Sequence, residues 1–344
     1  MTKPMLLLAS SLLLALPASA QDPSAALDTA YTPGAYRVFT GAGATATLDD
    51  VVRMMGRHQV VFIGEAHDDP TAHMLELELL KRAADAYGGT TLDDVGARPV
   101  VLSLEFFERD VQLPLNEYLA GHITEASFRA DTRPWPRYPS DYRPLIELAK
   151  ERGLPVIAAN APRRYVSMVT REGRERLAAL DTTAHGFLPP LPYGQASPAY
   201  RSQWIATISA VMEQEGMKCG VPVERPDAPP GSHRNMGNQL DSQVLWDATM
   251  AHAIASHLSA QPDALVLHMV GGFHVARRTG TPEQLQAYLP GARAMIVVVR
   301  PVADVSTFEP APEGEWGDFV IQTDETRTLE AIECRHFRAG QPAP

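Results

Sequence analysis

The chain has 344 residues, enough for one large α/β domain or two ordinary ones and for a substantial core. Its 41 acidic against 30 basic side chains give a formal charge of −11, a surface that repels phosphate backbones and anionic lipid and so argues against nucleic acid or a membrane surface as partner. With only Cys219 and Cys334, a four-thiolate metal site is excluded; in an oxidising compartment the two either pair or remain as thiols.

The first twenty residues stand apart. Lys3 supplies a positive start, residues 5–16 an apolar run, and Ala18-Ser19-Ala20 a small-residue cleavage site before Gln21, which predicts a cleaved secretory signal and a periplasmic or secreted protein. The apolar run is too short to span a bilayer. No cysteine follows the cleavage site, so a lipoprotein is not expected, and no later stretch suits an integral membrane span. Loss of Lys3 with the leader takes the formal charge from −11 to −12.

Residues 21–45 are polar, with Pro and Gly, and read as a loosely packed leader. Residues 48–57 form a short helix feeding the first core strand, 59–63, which stops at Gly64-Glu65-Ala66-His67. Asp68-Asp69-Pro70 has the form of a helix start; Met74, Leu77, Leu80 and Ala84 follow at helical spacing, with His73 on the first turn. A second strand, 99–106, runs through Glu105 into a helix at 110–120 and another near Thr124. Residues 133–139 are too rich in proline for regular structure. A helix at 141–152 ends at Gly153, and a third strand, 154–159, closes in Asn160.

Between about 171 and 231 the βα rhythm lapses into Pro- and Gly-rich loops around a helix at 198–212, read as a mostly helical insertion over one side of the sheet. A long helix at 235–258 precedes strands at 264–270 and 294–299 and a short edge strand at 318–323. Strands separated by helices imply right-handed crossovers, hence an α/β fold with a largely parallel central sheet flanked by helices.

Two of these strands end alike, in Gly64-Glu65-Ala66-His67 and Gly271-Gly272-Phe273-His274. With 24 glycines and 11 histidines, chance supplies roughly 0.8 Gly-x-x-His pairs, so the force of the pattern lies in both copies closing apolar β-type runs. In an open α/β sheet, ligands sit outside the carboxyl ends of strands, so Glu65, His67, Glu105 and His274 are expected around one cavity. A strand-end histidine also serves as a plain structural hydrogen bonder, and a glycine there as a simple turn.

Longer motifs say more. Gly64-Glu65-Ala66-His67-Asp68-Asp69-Pro70 with His73, then Leu104-Glu105-Phe106-Phe107-Glu108-Arg109-Asp110, Tyr142-Arg143-Pro144-Leu145, Asn160-Ala161-Pro162-Arg163, Leu245-Trp246-Asp247-Ala248 and Gly271 through Arg278, resemble in order the ChaN family of haem-binding, iron-regulated proteins. The resemblance spans residues 58–300 and implies a single α/β domain over 21–344, in a superfamily that also holds Tiki-type metalloproteases and erythromycin esterases. It further implies haem as cofactor, gripped at a homodimer interface with a tyrosine on iron. Tyr138, Tyr142, Tyr165 and Tyr193 are all available for that bond.

Two chemistries follow. Haem, or iron uptake through it, requires an axial ligand, apolar faces and cations for two propionates. His67, His73, Tyr138, Tyr142 and His274 are the ligand candidates, the Phe106-Phe107 and Trp135 neighbourhood the apolar faces, and Arg277 with Arg278 the cations. A metal-dependent hydrolase would instead set His67, Glu65, Glu105 and His274 around Zn or Mn, with Glu65 as base or ligand. Whether the chain is an enzyme stays open between them.

Overall fold

The computed structural model describes residues 34–88, 97–214, 217–218, 221–222 and 236–338. The leader at 1–20 and Cys219 lie outside the described residues; Cys334 is disulfide-bonded.

Eight strands form one sheet: β1 (Tyr36–Thr40), β2 (Thr45–Ala46), β3 (Val60–Glu65), β4 (Val100–Glu108), β5 (Val156–Asn160), β8 (Leu265–Gly271), β9 (Ala294–Val302) and β10 (Phe319–Asp324). Their order is β2-β1-β10-β9-β3-β8-β4-β5, and a separate hairpin pairs β6 (Met217–Lys218) with β7 (Val221–Pro222). From β10 to β5 every pairing is parallel; β1 is antiparallel to both its neighbours. The helices are α1 (Leu48–Met55), α2 (Pro70–Tyr87), α3 (Gln112–Leu119), α4 (Glu125–Thr132), α5 (Arg143–Arg152), α6 (Arg163–Glu172), α7 (Thr182–His185), α8 (Pro198–Gln214), α9 (Met236–Ala260), α10 (Thr281–Tyr288) and α11 (Leu329–Arg338).

The central strands are buried along nearly their whole length and mostly apolar because both faces are covered. Val61, Ile63, Leu102, Leu104, Leu267 and Met269 point to one face, under α1, α2 and α5. Val60, Phe62, Val101, Val266 and Val270 point to the other, under α9 and α10. A third cluster joins α6 and α9 to the 171–214 segment through Tyr165, Leu188, Tyr200, Trp204 and Leu245. At the amino ends of the strands, Arg98 donates to the carbonyls of His58, Asp263 and Ala264 at 2.8–2.9 Å and ties three strands together.

Two expectations are corrected. Residues 36–40 are not loose: Val38 and Phe39 are buried, and β1 extends the sheet. The strand at 318–323 is consequently interior, between β9 and β1. A strand of five residues beside Pro and Gly gives too short an alternation to be seen in sequence. Within the proline-rich stretch, Tyr138–Tyr142 forms a single π-helical turn that delivers Tyr142 inward.

At the carboxyl end of β3 the backbone of Gly64 runs against Gly272. A Cβ on Gly64 would lie 2.6 Å from Val275 Cγ2 and 2.9 Å from Gly272 Cα, contacts that only glycine avoids. Gly64→Ala is therefore expected to lose about 1–3 kcal/mol by urea denaturation while keeping its far-UV spectrum. A loss within error of zero would show that the two strand ends are not in close contact.

Candidate functional site

Register brings the polar strand ends together. β3 and β8 pair so that Glu65 faces Gly271 across the ladder. The β4–β8 ladder stops at Leu104 opposite Met269, and β4 then shifts register. Glu105 is thus inside β4 rather than at its end, but it stands where the ladder gives out, and its Oε2 accepts the free N–H of Gly271 at 2.7 Å. A buried carboxylate there replaces a missing backbone acceptor.

His274 follows Gly271 in a short 3-10 turn. Its Nδ1 lies 2.8 Å from Oδ1 of Asp247 on α9, and its Nε2 3.6 Å from Glu105 Oε1. Thr281 donates to the same Asp247 oxygen at 2.8 Å, and Tyr200 to the other. His67 points back over Gly271: a Cβ on that glycine would sit 2.9 Å from both Cε1 and Nε2 of the imidazole, so the ring occupies the space a side chain would fill. At the ends of β3, β8 and β4 these residues form a chain of neighbours: Glu65 to His67, His67 and Glu105 beside Gly271, and Glu105 to His274.

Glu65 is buried and shared. Oε1 takes His67 Nδ1 at 2.8 Å and the Tyr142 hydroxyl at 3.0 Å, while Oε2 lies 2.7 Å from Nδ1 of His73 on α2. Asp69 holds α2 in place, capping Thr71 N at 2.9 Å and accepting from Thr323 of β10. His73 Nε2 lies 3.2 Å from the His67 carbonyl and 3.5 Å from Asp141. Arg137 also donates to the His67 carbonyl and bonds Asp141 at 2.7 Å.

The charges follow from these contacts. Burial alone would raise Glu65, but hydrogen bonds and charge from His67 and His73 hold it well below the usual carboxylate range. Burial opposes protonation of His274, yet Asp247 and Glu105 carry it up to about 9. His67 is raised against its own burial by Glu65 and Glu105. Glu76, one helical turn beyond His73, is pushed up to about 8 by burial and by Glu65. Behind the site, burial and the charge of His274 lower His268 to about 3, leaving a neutral ring 2.9 Å from the Ser103 hydroxyl.

Residues 51–285 match the sequence profile of a family described as haem-binding uptake, Tiki superfamily, ChaN. The chain belongs to this family. Among solved structures, the ChaN of Campylobacter jejuni in its cofacial haem complex aligns at TM-score 0.60 and 13% identity, covering 83% of this chain and 96% of that one. An erythromycin esterase in its open conformation aligns at TM-score 0.42 and 11% identity over 84% and 83% of the two chains. The Arabidopsis thaliana chloroplastic protein RETICULATA-RELATED 5 is 22% identical over 255 residues; the match takes 71% of this chain and about a third, 31%, of that protein.

In this ChaN-family chain the four tyrosines considered for iron are all buried: Tyr138 and Tyr142 at 1% exposure, Tyr193 at 4% and Tyr165 at 9%. Tyr138 packs among Phe107 and Phe128, apart from the Glu65 cluster. Arg277 and Arg278 pair with Glu313 and Asp318 rather than with His274. Arg277 also borders a cavity of about 340 Å³ on the β9 side of the β3 end, shared with Glu65, Ala66, Gly272 and Phe273. Sequence reasoning missed Glu76 and Asp141. The first was legible as a carboxylate three residues past His73 on one helix face; the second carries no local signal.

The perturbed groups set a sign for pH. His274 and Glu76 are both raised, so the folded chain keeps protons that the unfolded chain has released, and stability falls as pH rises. The His274 contribution is complete below about pH 6.5 and gone above about 9, while Glu76 weakens the fold increasingly from about 4.5 to about 8. Metal-chelated protein is expected to melt at progressively lower temperature from pH 6.5 to 9.5, and Asp247→Asn to flatten the upper part of that slope. A melting temperature that rises over this range would contradict the arrangement.

Proposed function

We propose that this chain binds haem with His67 as axial ligand to iron. The reading is carried by the state of one imidazole: the His67 side chain is 46% exposed while Glu65 behind it is 2% exposed. With Nδ1 tied to that carboxylate, Nε2 is the nitrogen left to bind a metal, and a ligand fixed from behind is what a metal-binding histidine requires. The phenols of Tyr138, Tyr142, Tyr165 and Tyr193 are enclosed, which favours the imidazole over the tyrosine that the family resemblance implies.

The surroundings fit a planar apolar ligand. Trp135 stands edge-on to His67 at 5.0 Å and 6.1 Å from Phe106, and Phe106 stacks on Tyr142 at 3.9 Å. Arg163, 68% exposed at its side chain, lies 6.0 Å over Trp135, and Arg137 is 38% exposed, so two cations stand near for propionates. Bound haem supplies iron and two apolar faces. The residues of this chain orient it: Glu65 holds the tautomer and angle of His67, and Trp135 covers one side. The ChaN of Campylobacter jejuni binds haem cofacially, and a half-open ligand of this kind suits closure by a second copy in a homodimer. The leader at 1–20 supports action in the periplasm or outside the cell, in haem or iron uptake.

A second reading, metal-dependent hydrolysis, has its own observation. His67 and Glu105 meet over Gly271 and His274 Nε2 lies 3.6 Å from Glu105, with Glu65 and Asp247 behind the two imidazoles. Such a set suits Zn or Mn, which would lower the pKa of a bound water.

Titration of purified protein with haemin decides between them. A saturable shift of the Soret band is expected, lost in His67→Ala, weakened by Trp135→Ala and unchanged in Tyr138→Phe. A wild type without any Soret shift, holding one equivalent of zinc or manganese that disappears in Glu105→Gln, would give the site to the hydrolase reading.

A further inference from the structure

Beneath His67 lies a group of ligand atoms of which the two readings use only those of Glu65. His73 and Glu76 are three residues apart on α2 and project from one face toward the far oxygen of Glu65. All three side chains are buried, Glu65 and His73 at 5% and Glu76 at 0% exposure, and their ligand atoms lie within 4.8 Å of one another. His73 Nδ1 is 2.7 Å from Glu65 Oε2 and 3.7 Å from Glu76 Oε2.

Hydrogen bonding leaves this group incomplete. Glu65 Oε2, His73 Nδ1 and both oxygens of Glu76 have no hydrogen-bond partner, the 2.7 Å contact included, since its geometry is not that of a hydrogen bond. The opposite nitrogen of His73 lies 3.2 Å from the His67 carbonyl, an acceptor, so Nε2 carries a proton and Nδ1 is the nitrogen turned to the two glutamates, whose charge holds the ring protonated until an ion displaces that proton. Four buried polar atoms thus lie together without a well-formed hydrogen bond among them. Each such group costs free energy unless something positive joins it.

We propose that Glu65, His73 and Glu76 hold one divalent transition-metal ion, zinc or manganese, in a closed structural site beneath the pocket. A neutral imidazole and two carboxylates balance a charge of two. The two separations from His73 Nδ1 bracket the roughly 3.4 Å between ligands about 2.1 Å from a tetrahedral ion. Tyr142 seals the site, its ring edge-on to His73 at 5.0 Å and its hydroxyl on the other oxygen of Glu65. Since that oxygen also holds His67, the ion would set the angle of the imidazole above it. The site is distinct from the convergence of His67, Glu105 and His274 and does not depend on haem.

The full chain, stripped with chelator and dialysed into metal-free buffer without haem, is titrated with Zn²⁺ and separately with Mn²⁺. Bound metal is counted by mass spectrometry, and melting is followed with and without the ion. One equivalent is expected, with a raised melting temperature. Glu76→Gln, which keeps the shape of the side chain, is expected to weaken binding about 100-fold or more, whereas Glu105→Gln and His274→Gln retain the ion. A wild type that takes up no stoichiometric metal, and melts alike with and without it, has the cluster filled by protons and overturns the proposal. So does an ion kept by Glu76→Gln and lost in Glu105→Gln. Should Glu76→Gln not fold, X-ray absorption on the wild type decides: one imidazole on the ion supports the site, and two assign the ion to His67 and His274.

Discussion

Everything at the carboxyl end of this sheet depends on one buried carboxylate. Glu65 ends the central strand β3, with the two Gly-x-x-His strands side by side and α2 beginning five residues later. A carboxylate withdrawn from water must be met by donors or positive charge, and here the two imidazoles and a phenol come from three different segments. The position of His67 at the surface, the entry angle of α2 and the inward turn at Tyr138–Tyr142 are all consequences of satisfying it. Removal of the charge would leave three donors without a common acceptor.

The second carboxylate pair works differently. Glu105 and Asp247 fix His274 from two sides, but Glu105 also completes the backbone by accepting from Gly271. Asp247, with three donors around it, braces α9 against the turn that carries His274. The chain therefore has one imidazole anchored deep and charged, one half open, and one, His268, kept neutral behind them. That gradation gives the same residue type three different chemistries within one sheet.

Much of this was legible in sequence for a physical reason. Parallel strands covered on both faces read as largely apolar runs, so their ends stand out as abrupt changes to Gly, Glu and His, as at Gly64 and Gly271. Spatial order was not legible: nothing in residues 36–40 says that they will cap β10, and nothing in 318–323 says that they will be enclosed. Glu76 stands at a telling spacing from His73, but a glutamate on a helix ordinarily faces solvent, and only the burial of α2 against β3 turns it inward. Tyr138 and Tyr142 were indistinguishable as sequence and differ entirely as structure. One fills the core and the other serves Glu65, a difference made by a single π turn.

The pairing of β3 also dictates when the site can exist. Both its neighbours come late in the chain, Val60 lying opposite Val266 on one side and Ala294 on the other. During synthesis this largely apolar strand emerges and has no partner until some two hundred residues more have followed. Fragments ending before β8 would expose it along both edges, the condition under which strands join with foreign ones. Assembly is thus all but simultaneous with completion of the polypeptide, and truncation products would be lost to aggregation rather than persist as partly competent proteins.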